Sequence, residues 1–327
     1  MSLALLFALT AAPTADEAWA TFAEERTGVC LGPVGALAAP RPIEANGHSY
    51  ELQGHRLVET KKGDGRLVLG VISAIKDDRE PTLAAVNALA TKMAQAGAEA
   101  IIANGDLAED ELAMEAVFDT LAGLGPLVIV SIGNTESCGS FNRIAGRTFA
   151  KHPHFVNGNW VRRLELDGGT LITLPGYYDK RFIHRAGVPV YSEKDIELLS
   201  VFAKDAPKPV VLVSHGPPRM NGKAGIDLAT EAGHVGDPAM RSAIEKLEIP
   251  FGIFGHLLES GGRASDLDGK KALAPGTKHP SLYVSAGTAN PDPWQMLDGK
   301  TSHGMGLIME LEGGQAKHTV LRLDAPK

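Results

Sequence analysis

The chain has 327 residues, 44% of them hydrophobic, a formal net charge of -7 and a pI near 5.9. That length suits one large α/β domain or two ordinary ones, with apolar content sufficient for a full core. The acidic balance lacks the clustered basic charge that carries nucleic-acid or anionic-membrane binding, and no run of about 18 apolar residues provides a membrane span.

In chain order, residues 1–15 place an apolar stretch at 3–9 before Thr-Ala-Ala-Pro-Thr-Ala, the layout of a secretory signal, although no Lys or Arg precedes it. Two readings stand: a signal peptide on a secreted or periplasmic protein, or an amphipathic arm on a cytoplasmic one. Residues 16–65 read as an amino-terminal extension, helix-compatible at 16–26, Gly- and Pro-rich at 28–42, then alternating around Asn46-Gly47 and Gln53-Gly54. A β-hairpin is expected at 49–60, packed on an edge of the main domain because an isolated hairpin buries too little surface to stand alone. The extension is also where a protein partner would attach. Cys30 and Cys138 are the two cysteines; an exported chain would bridge them, and a cytosolic one would keep two small apolar thiols.

Residues 66–327 read as one domain. Strand and helix alternate at 67–73, 82–96, 100–103, 109–124 and 127–132, and the first helix carries Leu83, Val86, Leu89, Ala90 and Met93 on one face. Such alternation with short connections predicts a βαβαβ core and a parallel sheet. Strands are expected between 154 and 174, helices over 192–204 and 238–247, and a closing hairpin of 304–311 with 315–323.

Four residues carry most of the chemistry: Asp106 in Asn-Gly-Asp, Asn134 in Gly-Asn-Thr-Glu, His215 in Ser-His-Gly-Pro-Pro and His256 in Gly-His-Leu-Leu-Glu. Each closes a short apolar run that reads as a buried strand, so all four would meet at the strands' carboxyl edge. One carboxylate, one amide oxygen and two imidazoles suit a divalent ion such as Mn, Fe, Zn or Ni. Gly105, Gly133 and Gly255 precede three of them, where a strand end must turn sharply.

That order, closed by Ser-Ala-Gly287-Thr, resembles the calcineurin-like metallophosphoesterases over roughly residues 66–323. The resemblance implies an α/β sandwich of two mixed sheets with flanking helices. It also implies two adjacent metals, bridged by the Gly-Asp carboxylate and a water or hydroxide, with a phosphate laid across both. Asp106 matches the bridging position, and Asn134, His215 and His256 match the remaining protein ligands of the second metal. The family's first metal takes an Asp-x-His after the first strand and a His two residues beyond the Gly-His. Those places hold Ala74, Lys76 and Leu258, which offer no donor atom while the amine is protonated. The family's acid or charge-stabilising His after Gly-Asn is replaced by Thr135, whose hydroxyl does not titrate near neutrality.

The expectation is therefore one divalent metal ion, or none, acting on a phosphate-containing small molecule or other anion, with Asp106 and His215 as the catalytic pair. The candidate functions are a slow phosphoester hydrolase and an inactive relative that binds an anion or a partner. Three residues are candidates for substrate contact. Lys76 either stands in for the missing metal as a point charge or turns to solvent, Thr135 is a hydroxyl donor, and Arg219 is either a bidentate phosphate clamp or a salt-bridged loop arginine. Tyr177, Tyr178, Arg181 and His184 lie on a Gly- and Pro-bounded loop that either sets specificity or is ordinary surface. Glu136 and Glu259 read as solvated acids, with the alternative of orienting an imidazole. Asp77 and Asp78 read as exposed or helix-starting.

Overall fold

The computed structural model describes residues 21, 26–31 and 40–325. The signal expected at 1–15 and most of the helix expected at 16–26 lie outside the described residues.

Alternating side chains divide each central strand between two cores, which is why the fold has layers. In Arg66–Ile72, Leu67, Leu69 and Val71 face the space between two sheets, whereas Val68 and Ile72 face helices. Ala100–Asn104 and Leu127–Ser131 divide the same way. With Phe155–Asn157 they pair in parallel, and the antiparallel hairpin Met305–Glu312 with Gln315–Arg322 completes a six-stranded sheet. Helices Glu80–Gln95, Glu111–Ala122 and Cys138–Lys151 cover its outer face.

The facing sheet has nine strands. Its centre is Gly169–Leu174, Val210–Ser214, Phe251–Phe254 and Leu282–Ser285, all parallel, with Val211, Val213, Phe251 and Ile253 turned toward the first sheet. Val210, Leu212 and Phe254 pack outward against Glu193–Glu197, Leu199–Ala203 and Pro238–Leu247. The result is two mixed sheets packed as a sandwich with helices on both outer faces, as the resemblance implied.

Several details differ from expectation. The segment expected as a hairpin at 49–60 is a three-stranded meander, Arg41–Ala45, His48–Gln53 and Arg56–Glu59. It is hydrogen-bonded into the nine-stranded sheet through Arg56–Glu59 and Arg163–Leu166. The helical stretch at 192–204 is two short helices. Cys138–Lys151 is a helix with no clear sequence signal, because Gly139 and Gly146 interrupt it and its buried face includes Asn142 and Thr148.

Cys30 and Cys138 are joined, the outcome expected of an exported chain. The surrounding contacts reinforce the bridge: Asn142 Nδ2 donates to the carbonyls of Thr27 and Val29, both at 3.0 Å, and Trp160 Nε1 donates to Val29 O at 2.9 Å. No helix among the described residues is long and apolar enough to cross a membrane.

The bridge closes a loop of 108 residues, and a cross-link of that span stabilises typically by about 2 to 5 kcal/mol. Reductant should therefore lower the urea midpoint of the wild-type protein, and a Cys30→Ser, Cys138→Ser double variant should start at the lower midpoint and be insensitive to reductant.

Candidate metal centre

The two sheets bring their carboxyl edges together, and the site lies where those edges meet. Asp106 follows Ala100–Asn104, Asn134 follows Leu127–Ser131, His215 follows Val210–Ser214 and His256 follows Phe251–Phe254. Of the seven non-glycine residues with left-handed backbone among the described residues, four stand here: Ala74 (φ 49°), Lys76 (φ 74°), Asp106 (φ 56°) and His256 (φ 62°). Each such conformation costs about 1 kcal/mol or more, and clustering of strain at one place marks a site whose geometry outranks local comfort.

The glycines serve that geometry in two ways. Gly105 has φ 78°, the sharp turn expected from the sequence. Gly133 and Gly255 do not have positive φ; close approach requires them instead. A Cβ on Gly133 would stand 2.5 Å from Asp106 Oδ1, and one on Gly255 would collide with Ser73 Oγ.

The four expected ligands converge. Asn134 Oδ1 lies 2.8 Å from His215 Nε2 and 2.9 Å from His256 Nδ1, and His215 Nε2 lies 3.2 Å from Asp106 Oδ1. Ligand atoms of Asp106, His215 and His256 all fall within 4.8 Å of one another. Donor atoms about 2.1 Å from a shared ion stand about 3.0 to 3.4 Å apart in octahedral or tetrahedral arrangement, close to these separations.

Hydrogen bonds around the ligands fix which atoms point inward. The Asn134 amide donates through Nδ2 to Phe182 O at 2.7 Å, which turns Oδ1 toward the centre. His215 Nδ1 meets Asn104 O at 2.9 Å, and because a carbonyl only accepts, Nδ1 carries the proton. A neutral His215 therefore aims its Nε2 lone pair at two oxygens. Such a meeting of lone pairs is stable only with a positive charge among them, a proton or a metal ion, so the donor set fits a divalent cation.

The titration behaviour expresses the same demand. Burial would raise the Asp106 carboxyl, but His215, with His256 and Lys76, holds it far below the usual carboxylate range. Burial would lower the His215 imidazole, but Asp106 raises it. Burial, then the His215 charge, press His256 down to about 3 despite Asp106.

The positions of the family's first metal are different in kind. Ala74 and Leu258 are buried and Lys76 is exposed, its ammonium 5.7 Å from the centre of the Trp294 ring and its backbone N–H donating to Asp106 O at 3.1 Å. Thr135 Oγ1 donates to Asp106 Oδ1 at 3.2 Å. Arg219 is exposed and forms no ion pair among the described residues, so the salt-bridged reading does not hold. Asp77 accepts from Thr82 Oγ1 at 2.6 Å and from Asn290 Nδ2 at 2.9 Å, beside the start of the first helix.

Three residues matter more than their sequence context suggested. Glu136 is fully buried rather than solvated, and its carboxylate accepts the Leu107 N–H and, at 3.0 Å, the Gly133 N–H. It thus clamps the Asp106 and Asn134 loops together, and burial with the Asp106 charge raises it to about 7. Tyr177 is buried, not surface, with its ring 4.2 Å from that of His256. Phe182 supplies the carbonyl that orients Asn134. Spacing carries no signal for such contacts. Glu259 orients no imidazole; its carboxylate accepts the Thr230 N–H at 3.1 Å.

The chain belongs to the calcineurin-like phosphoesterase family, whose family model matches residues 72–260. The solved structure of TT1561 from Thermus thermophilus matches with a TM-score of 0.54 at 13% identity, over 77% of this chain and 98% of that one. A second solved structure matches with a TM-score of 0.56 at 15% identity, over 79% of this chain and 100% of that one. A dimetal phosphatase from Danio rerio matches with a TM-score of 0.49 at 11% identity, over 79% and 99%. These likenesses are of fold. No match was found among curated proteins.

Removing the Glu136 clamp should loosen both ligand loops. Glu136→Ala leaves two buried N–H groups unpaired, and loss of an outer orienting contact costs roughly 10- to 100-fold in metal affinity. Titration calorimetry with Mn or Zn should show that loss, and a Glu136→Gln variant, which retains one acceptor, should fall between.

Proposed function

We propose that this chain is a phosphoesterase that holds a single divalent ion on Asp106, Asn134, His215 and His256 and turns over a phosphate ester slowly. The supporting observation is the convergence of Asp106 Oδ1, Asn134 Oδ1, His215 Nε2 and His256 Nδ1 with no ligand atom from Ala74, Lys76 or Leu258 beside them. A bound ion would supply Lewis acidity toward a phosphoryl oxygen, a role one ion fills less strongly than a pair.

The chain's own residues define the rest. Asp106 and His215 hold the centre of the site, with His215 kept in one tautomer by the Asn104 carbonyl. Lys76 supplies a positive charge where the family's first metal would lie, and Asp106 already responds to it. Thr135 could donate to a phosphate oxygen only by turning its hydroxyl away from Asp106 Oδ1, and it cannot deliver a proton to a leaving group near neutrality, which limits the reaction to good leaving groups. Arg219, exposed and without an ion-pair partner among the described residues, is available to a second phosphate oxygen. The same arrangement without turnover would be an anion-binding relative, favoured by the loss of a titrating group at Thr135.

Metal analysis of the purified protein should find one divalent ion per chain, and His215→Ala should lose it. Unchanged metal content and stability in that variant would sink the four-ligand site. An aryl phosphate assay with added Mn, Ni or Zn then separates enzyme from binder: turnover supports the enzyme, whereas bound phosphate without turnover supports the binder. For the lysine, Lys76→Ala should weaken phosphate binding about tenfold while leaving metal content intact, as expected for loss of one charge-assisted contact. Unchanged phosphate affinity would leave Lys76 a solvent-facing residue.

A further inference from the structure

Beyond the metal lies a surface that the reading above leaves without a task. Residues 288–290 run beside the loop 74–76 that replaces the first-metal ligands. Thr288 Oγ1 donates to Ala74 O and Asn290 Nδ2 to Ile75 O, both at 2.8 Å, and the Ala289 N–H donates to Ser73 O at 2.8 Å. Arg79 pairs with Asp292 at 2.6 Å. The chain then forms a small hairpin, Trp294–Gln295 with Thr301–Ser302, whose Leu297 N–H donates at 2.8 Å to the carbonyl of Glu259, three residues past His256. This hairpin is therefore fastened to both sides of the erased metal position.

Its side chains are unusual for such a place. Trp294 is 42% exposed and Leu297 38% exposed, two of the five large exposed hydrophobic residues among the described residues, while Met296 between them is buried. The Lys76 ammonium lies 5.7 Å from the centre of the indole ring, so a cation and an open aromatic surface stand together at the edge of an anion site. A few convergent charges beside an apolar surface are what orients a ligand with one anionic end and one apolar end.

We propose that Trp294 and Leu297 form a platform for the alcohol portion of the substrate, and that the substrate class is phosphate esters of flat aromatic alcohols, with Lys76 meeting the phosphate end. The inference rests on the metal-and-lysine reading. It agrees with the want of an acid at Thr135, since an aryl oxide departs without one more readily than an alkoxide.

The test uses the metal-loaded full chain and compares phenylphosphonate with methylphosphonate by calorimetry. Wild-type protein should bind the phenyl compound about tenfold more tightly, the scale of one aromatic contact. Trp294→Ala should bring the ratio close to one, and Trp294→Phe should keep most of it. A ratio near one in wild-type protein, or an unchanged ratio in Trp294→Ala, overturns the platform while the metal site stands, since both phosphonates still bind. If neither phosphonate binds the metal-loaded protein, the anion reading fails and the platform with it.

Discussion

The structure turns on one oxygen. Asn134 Oδ1 stands 2.8 Å from His215 Nε2 and 2.9 Å from His256 Nδ1, and it follows a strand of the six-stranded sheet while both imidazoles follow strands of the nine-stranded one. Lone pairs from the two sheets therefore meet across their seam. In a low-dielectric interior that meeting is costly without a cation and strongly favourable with one. The left-handed backbones at Asp106 and His256, and the glycines whose Cβ positions are already filled, are what it takes to aim those atoms at a common point.

Around that seam the site is divided. The half made by Asn134, His215 and His256 keeps its supports: the Asn104 carbonyl behind one imidazole, the Tyr177 ring against the other, the Phe182 carbonyl behind the amide. The half that corresponds to the family's first-metal position is built differently. Ala74 is tied on both sides, its N–H to Gly105 O and its carbonyl to Thr288 Oγ1, and Leu258 is buried.

Much of this was legible in the sequence, for a specific reason. Buried parallel strands read as continuous apolar runs, so the residues that end them are easy to find, and Asp106, Asn134, His215 and His256 all end such runs. Signals failed where burial depends on distant partners. The helix Cys138–Lys151 buries Asn142 because Asn157 and the Thr27 and Val29 carbonyls satisfy it, and no local pattern announces that. Glu136 looks like a solvated acid in sequence because its two N–H donors lie just past strand ends, 29 and 3 residues away. Tyr177 sits in a loop by sequence and under an imidazole in space. Trp294 belongs to no motif at all.

The loop of residues 176–188 shows how closely these parts are joined. Its Phe182 carbonyl sets the Asn134 amide, its His184 N–H donates to the Asn134 carbonyl at 3.4 Å, and its Gly187 carbonyl accepts the Cys138 N–H at 2.8 Å, where the disulfide begins. A loop free to drift in sequence is the usual means by which a family acquires new substrates. Here that freedom is curtailed: the backbone that would have to move for a different substrate is the backbone that fixes the Asn134 amide. A shift in the path of this stretch would move the Asn134 amide and the segment at Cys138 with it, so the loop can diversify its exposed side chains but not its path.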